Sequence, residues 1–268
     1  MAIVMATALA LFAAALRARR LLASGIAESL LRATLSRFVP AKLVAELERA
    51  PGAPFGALHG RTHDVAVLFI DIRGFTAMAE DLEPAAVLGL LNEYRRRVTA
   101  PVLRNGGVID KFIGDAVMAV FGVPRPHAID AGAAIRCVVE VLESVAAWNE
   151  ERVRDGKAPV NVGVGAHYGE AIVGVVGEGE RLEYTVIGDT VNLAQRAERI
   201  AARSDTPMLV TREILEAARA KDVGAFAEGA WIELAPMPVE GRRQVAHFFA
   251  LRPHASGDKR SRHHRQRA

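Results

Sequence analysis

Val65-Ala66-Val67-Leu68-Phe69-Ile70 is an unbroken apolar run, closed by Asp71 and followed by Ile72-Arg73-Gly74-Phe75-Thr76. It is too short for a helix of ordinary length and lacks polar alternation, which is the pattern of a central strand buried on both faces. Working outward, residues 84–104 have helical spacing, with Pro84 at a permitted first-turn position, and Asn105-Gly106-Gly107 stops that helix. Residues 108–113 and 116–121 flank Gly114-Asp115, a two-residue hairpin signal. A long helix is predicted over 129–154, where Cys137 packs inside. Residues 160–167 and 171–176 read as two strands separated by Tyr168-Gly169-Glu170. The next helix starts at Asp189 or Thr190, both good caps, and runs to Ala202. A strand at 208–210, a helix at 211–219 and strands at 230–235 and 244–250 complete the pattern. This order predicts an α+β sandwich with helices on one face of a mainly antiparallel sheet.

The chain has 268 residues, 51% hydrophobic and 24% charged, which is enough to bury a sizeable core and excludes a disordered protein. Its single cysteine excludes a disulfide scaffold and any Cys-rich metal site. The net charge of +3 comes from the end of the chain, where Arg252, Lys259, Arg260, Arg262, Arg265 and Arg267 face Asp258 alone. The rest is slightly acidic, so the basic balance does not make the body a nucleic-acid binder. An RNA-binding sheet would also expose strand aromatics, whereas Phe69, Phe112 and Phe121 are scattered.

Residues 1–16 are apolar except for Thr7, and Arg17, Arg19 and Arg20 follow. As a helix they reach about 24 Å against a hydrocarbon core of roughly 30 Å. Residues 1–20 are expected to form a membrane anchor, or else an amphipathic or buried helix or a processing segment; the arginines would keep the remainder cytoplasmic. Leu22, Ile26, Leu30, Leu31, Leu35 and Phe38, then Leu43, Val44 and Leu47 beyond Pro40, suggest connecting or dimerising helices over 21–50, or else a helix packed on its own domain. Pro51-Gly52-Ala53-Pro54-Phe55-Gly56 opens a linker over 51–63. Residues 64–250 form the main domain and 251–268 a disordered basic tail.

Two carboxylates stand out by placement. Asp71 ends the buried strand and Asp115 sits in the hairpin turn, so a sheet can bring them together. Paired oxygen ligands without neighbouring His or Cys suit Mg²⁺ or Mn²⁺ rather than zinc. Read singly, Asp71 is a helix cap and Asp115 an ordinary turn residue. Gly74, Phe75 and Thr76 open a helix, where backbone N–H groups can hold phosphate oxygens. Asn192 and Arg196, four apart on a helix, share one face; they can orient a ribose and steady a phosphoryl group, or merely face solvent. Period-2 alternation places Lys111 on the face of Ile109 and Ile113, at an edge or facing a pocket. The sequence lacks a Walker A loop and a nucleophile elbow, and Gly163-Val164-Gly165 lacks the third glycine of a dinucleotide fingerprint.

Residues 69–76, Lys111-Phe112-Ile113-Gly114-Asp115 and the run from Tyr184 to Arg196 resemble the class III nucleotidyl cyclase catalytic domain. The resemblance covers residues 64–250. It implies a ferredoxin-like βαββαβ sandwich acting as a homodimer, each active site built across the interface. One subunit supplies Asp71, Asp115 and the Ile72 backbone to two Mg²⁺ or Mn²⁺ ions per site. The other supplies Asn192 to the ribose and Arg196 to the transition state. Lys111 and Thr185 are implied to read the base, and Lys111 favours ATP over GTP. Many animal members carry aspartate where Thr185 stands. Arg242 and Arg181 are placed toward the triphosphate. The implied activity is adenylate cyclase, ATP to 3′,5′-cyclic AMP, in a cytoplasmic domain attached to the inner face of the membrane. The alternatives are a guanylate cyclase or a silent nucleotide-binding regulator.

Overall fold

The computed structural model describes residues 60–178, 181–204, 206–221, 231–238 and 245–251, together with Arg17. The chain divides into two units, Met1–Ala53 and Pro54–Ala268, and the elements below belong to the second. The anchor (1–20), the connecting helices (21–50), most of the linker and the tail after 251 fall outside the described residues, apart from Arg17. Among the described residues no helix is long and apolar enough to cross a membrane.

The elements in chain order are β1 (Arg61–Ile72), α1 (Phe75–Glu80), α2 (Pro84–Arg104), β2 (Val108–Ile113), β3 (Ala116–Phe121), α3 (Asp130–Arg154), β4 (Val162–Glu178), β5 (Arg181–Ile187), α4 (Asp189–Ala202), β6 (Met208–Thr211), α5 (Arg212–Lys221), β7 (Trp231–Glu233) and β8 (Phe248–Leu251). Among the described residues the strands form one eight-stranded sheet, ordered β2-β3-β1-β4-β6-β8-β7, with β5 paired to β4. The β2-β3-β1-β4 part is antiparallel throughout, the strand order of a ferredoxin-like βαββαβ core. Strand β1 starts at Arg61, opposite Val173, inside the stretch read as linker.

The apolar run of β1 is central, as its sequence demands: Val65 through Ile70 are at most 4% exposed. Ala66, Leu68 and Ile70 face a core built with Tyr94 and Val98 of α2, Val138 and Val141 of α3 and Ile214 of α5. Val65, Val67 and Phe69 face the other way, against Met118, Val120 and Ala194 of α4. The expectation of helices on one face is thereby corrected, because α4 covers the opposite side. Burial on both faces is why the run lacks alternation. Cys137 packs in the first core, and burial pushes its thiol up to about 12, so it stays protonated.

The two strands read at 160–167 and 171–176 are in fact one. Strand β4 pairs with β1 without interruption from Ile72↔Val162 to Arg61↔Val173, straight through Tyr168-Gly169-Glu170. Gly169 serves close approach rather than a turn: a Cβ there would stand 3.0 Å from the Thr190 hydroxyl oxygen of α4. Thr190 in turn donates to the Glu170 carbonyl at 2.6 Å. Contact is tighter at Gly165, where a Cβ would lie 2.1 Å from the Glu198 nitrogen and 2.3 Å from the Ala194 oxygen. Both atoms are helix backbone and cannot swing aside, so α4 rests directly on β4.

Gly165→Ala should therefore push α4 off the sheet and cost about 1–3 kcal/mol, lowering Tm by several degrees. Gly89→Ala, in an exposed stretch of α2 with nothing within 4 Å, should instead stabilise by about 0.5–1 kcal/mol. Thermal unfolding checks both; an unchanged Tm for Gly165→Ala would contradict this packing.

Candidate active site

Strand β1 delivers Asp71 beside the turn joining β2 to β3. The register pairs Ile70 with Val117 and Ile113 with Ala116, which sets the Gly114-Asp115 turn next to the end of β1. Gly114 has φ 63°, a value that favours glycine and lets the two strands close in two residues. Arg95 of α2 holds the turn by donating to the Gly114 carbonyl at 2.8 Å while lying over the Phe112 ring at 4.6 Å. The predicted convergence of the two acids is present: the carboxyl groups of Asp71 and Asp115 stand within hydrogen-bonding reach of each other. Asp71 Oδ1 also accepts the Ile72 N–H at 3.0 Å.

Burial pushes Asp71 up to about 8, reinforced by its contact with Asp115 and by the charges of Asp115 and Glu198. Two acids so placed need either a shared proton or a cation between them. Their oxygen donors fit a hard divalent ion, and among the described residues no group of three or more potential ligands competes. Mg²⁺, which keeps waters and substrate phosphates in its shell, asks for only one or two protein carboxylates.

Glu198 is a residue that sequence reasoning missed. It is 6% exposed, on α4 beneath the acid pair, and burial raises its pKa against the attraction of Arg199 and Arg73. Arg73 was also missed. Its guanidinium donates to the carbonyls of Ala201 at 2.6 Å, Ser204 at 3.2 Å and Thr206. It caps the C-terminus of α4, where the helix dipole favours a cation, and ties that end to the strand bearing Asp71. Gly74, next in sequence, caps α1, with Gly74 and Thr76 exposed and Phe75 packed against the core.

The structure corrects the face assigned to Lys111. The β2–β3 ladder slips between Ile109 and Lys111, so Ile109 lies opposite Ala119 whereas Lys111 lies opposite Met118. That bulge turns Lys111 away from the face of Ile109. Its ammonium reaches Asp110 Oδ2 at 3.4 Å and pairs with Glu183 of β5. Thr185 donates its hydroxyl hydrogen to the same Asp110 oxygen at 2.9 Å. Lys111 and Thr185 are thus brought together, through an aspartate that the alternation argument passed over. Two adjacent charged residues inside an apolar strand were the available signal for the bulge.

Asn192 and Arg196 do share a face of α4, but not the face on the acid pair. Ala194 and Glu198 press on β4, and Arg196 lies two residues from each, about 160° around the helix. Asn192 is exposed and Arg196 half-buried, and among the described residues neither side chain makes a hydrogen bond. Within one chain, then, the acids and the Asn192–Arg196 pair point apart. Arg181 lies in β5, paired with Glu178; its side chain, and all of Arg242, are outside the described residues.

The raised Asp71 makes a prediction about stability. The native state holds a proton that the unfolded chain releases near pH 4, so stability contributed by protonated Asp71 is present at low pH and lost as pH rises toward about 8. In a chelator, Tm should fall across that window; Mg²⁺ or Mn²⁺ should restore it at pH 8, and Asp71→Asn should flatten the slope. Equal slopes for the wild type and Asp71→Asn would contradict the shift.

Known proteins bear on this geometry. Residues 58–251 match the family described as adenylate and guanylate cyclase catalytic domain. An adenylate cyclase of Anabaena cylindrica is 32% identical over 188 residues, 68% of this chain and 36% of that protein. Adenylate cyclase 1 of Rhizobium meliloti is 34% identical over 196 residues, 72% of this chain and 28% of that protein. The chain thus spans about a third of the length of these relatives. Among solved structures, the adenylyl cyclase CyaB from P. aeruginosa is 29% identical with a TM-score of 0.64, covering 72% of this chain and 96% of that one. The guanylyl cyclase Cya2 is 29% identical with a TM-score of 0.63, covering 72% of this chain and 93% of that one. The match over 58–251 and the likeness to the solved cyclase structures agree, and the chain belongs to the adenylate and guanylate cyclase catalytic domain family.

Proposed function

We propose that residues 64–250 form an adenylate cyclase domain that converts ATP to 3′,5′-cyclic AMP and pyrophosphate as a homodimer. The observation that carries this reading is the pairing of Asp71 with Asp115 on the side of α4 away from Asn192 and Arg196. One chain holds both halves of a phosphoryl-transfer site but cannot close them on one substrate, whereas two chains can. Exposed apolar residues offer a surface for a second copy: Phe112 and Ile113 on β2, and Ile172 and Ile187, which pair across β4 and β5.

Asp71, Asp115 and the Ile72 backbone would hold Mg²⁺ or Mn²⁺, two per site, supplying a more acidic ribose 3′-hydroxyl and neutralising charge on the pyrophosphate. The 3′-hydroxyl gives up its proton to water and attacks the α-phosphorus in line, and the bond to pyrophosphate breaks; no covalent enzyme intermediate is needed. Asn192 orients the ribose and Arg196 stabilises charge growing on the α-phosphoryl oxygens. Backbone N–H groups of Gly74, Phe75 and Thr76 cradle the triphosphate, with Arg181 and Arg242 assigned to the same end. Lys111 donates to adenine N1; guanine presents an N1–H there and would face an ammonium unpaired. Membrane attachment through residues 1–16 is part of this reading on the sequence alone.

The similarity to Cya2 makes a guanylate cyclase the second reading, and parallel turnover of ATP and GTP decides between the two. Asp71→Ala and Asp115→Ala should each lower kcat by about a hundredfold or more, and Arg196→Ala should lower kcat far more than it changes KM. Equal amounts of the inactive Asp71→Ala and Arg196→Ala chains should regain about a quarter of wild-type activity, since half the dimers are mixed and each has one intact site. No recovery despite demonstrated mixed dimers would refute the shared site.

A further inference from the structure

The Thr185 hydroxyl has one hydrogen to give and lone pairs to accept with. That hydrogen is committed to Asp110 Oδ2 at 2.9 Å. Burial of the Asp110 side chain, 6% exposed, raises its carboxyl above the usual range, while the Thr185 hydrogen bond and the Lys111 ammonium, 3.4 Å from the same oxygen, act the other way and favour the ionised, acceptor-only form. We propose that Asp110 is a specificity-determining residue: by holding the Thr185 hydrogen, it leaves Thr185 only acceptor lone pairs for the base. This deepens the adenylate cyclase reading and rests on Lys111 and Thr185 facing the purine.

The consequence is a fixed polarity. Lys111 has three N–H donors, of which Asp110 and Glu183 take two; the third remains for a ring nitrogen. The pair therefore presents one donor and one acceptor. Adenine answers with an acceptor at N1 and a donor at its 6-amino group. Guanine carries a donor at N1 and an acceptor at O6, and is mismatched at both. A free threonine hydroxyl would rotate and donate to O6, so without Asp110 half of this discrimination disappears. Asp110 acts on the base through Thr185 and touches no reacting atom.

The test is the ratio of kcat/KM for ATP to that for GTP, measured on the purified full chain with Mn²⁺. Asp110→Ala, and the shape-matched Asp110→Leu should the first fail to fold, are expected to lower this ratio about tenfold or more, as is Thr185→Val. Asp110→Asn keeps an oxygen that accepts the hydroxyl hydrogen, so it should stay within about twofold of wild type. Combining Asp110→Ala with Thr185→Val should change the ratio no further than either alone. A merely structural role would depress both substrates together and leave the ratio unmoved, which would overturn the proposal. It would also be overturned if Asp110→Asn fell as far as Asp110→Ala, since charge rather than the hydroxyl would then be the cause. If instead Thr185→Val leaves the ratio unchanged, the placement of the base itself is wrong.

Discussion

Helix α4 touches the sheet with its backbone, and the rest of the site follows from that contact. Any side chain at Gly165 would collide with the Glu198 nitrogen and the Ala194 carbonyl, so the helix lies as close to β4 as a helix can. Thr190 pins its first turn to the Glu170 carbonyl, and Arg73 clasps the carbonyls at its far end. Held at three points, the helix has no freedom to roll. Its rotation fixes Glu198 inward and Asn192 and Arg196 outward. An arginine so placed, given the catalytic role proposed for Arg196, can meet a substrate on another molecule but not one bound to its own strand end.

The electrostatics divide along the same lines. Around Asp71 the neighbours are acids, and the nearby cation, Arg73, spends its hydrogen bonds on helix carbonyls. Burial, and then the neighbouring acids, raise Asp71 there, which suits an imported metal ion. Around Asp110 the balance is internal, with Lys111 and Thr185 both bonded to one carboxylate oxygen. The first cluster is built to receive charge, the second to present a fixed pattern of donors and acceptors.

Much of this was legible in the sequence because it is local. The run 65–70 announced a central strand, Gly114-Asp115 announced the tight turn, and helix 84–104 was bounded by Pro84 and Asn105. The acid pair followed from a strand end and a hairpin turn. What could not be read depended on partners distant in sequence. Gly169 looked like a turn because its closeness to Thr190 belongs to tertiary packing. Glu198 looked like an ordinary helix residue, since its neighbours Asp71 and Asp115 come from a strand end and a hairpin turn more than eighty residues earlier in the sequence. Lys111 was assigned the wrong face because alternation assumes an unbroken ladder, and the slip after Ile109 breaks it.

If a single chain carries the two halves of the site facing apart, catalysis belongs to the pair. Cyclic product formed per mole of chain should be measured across a dilution series, with sedimentation reporting association at each point. Turnover per chain is expected to collapse in step with loss of the dimer and to return on concentration. Undiminished turnover from chains shown to sediment as monomers would contradict it.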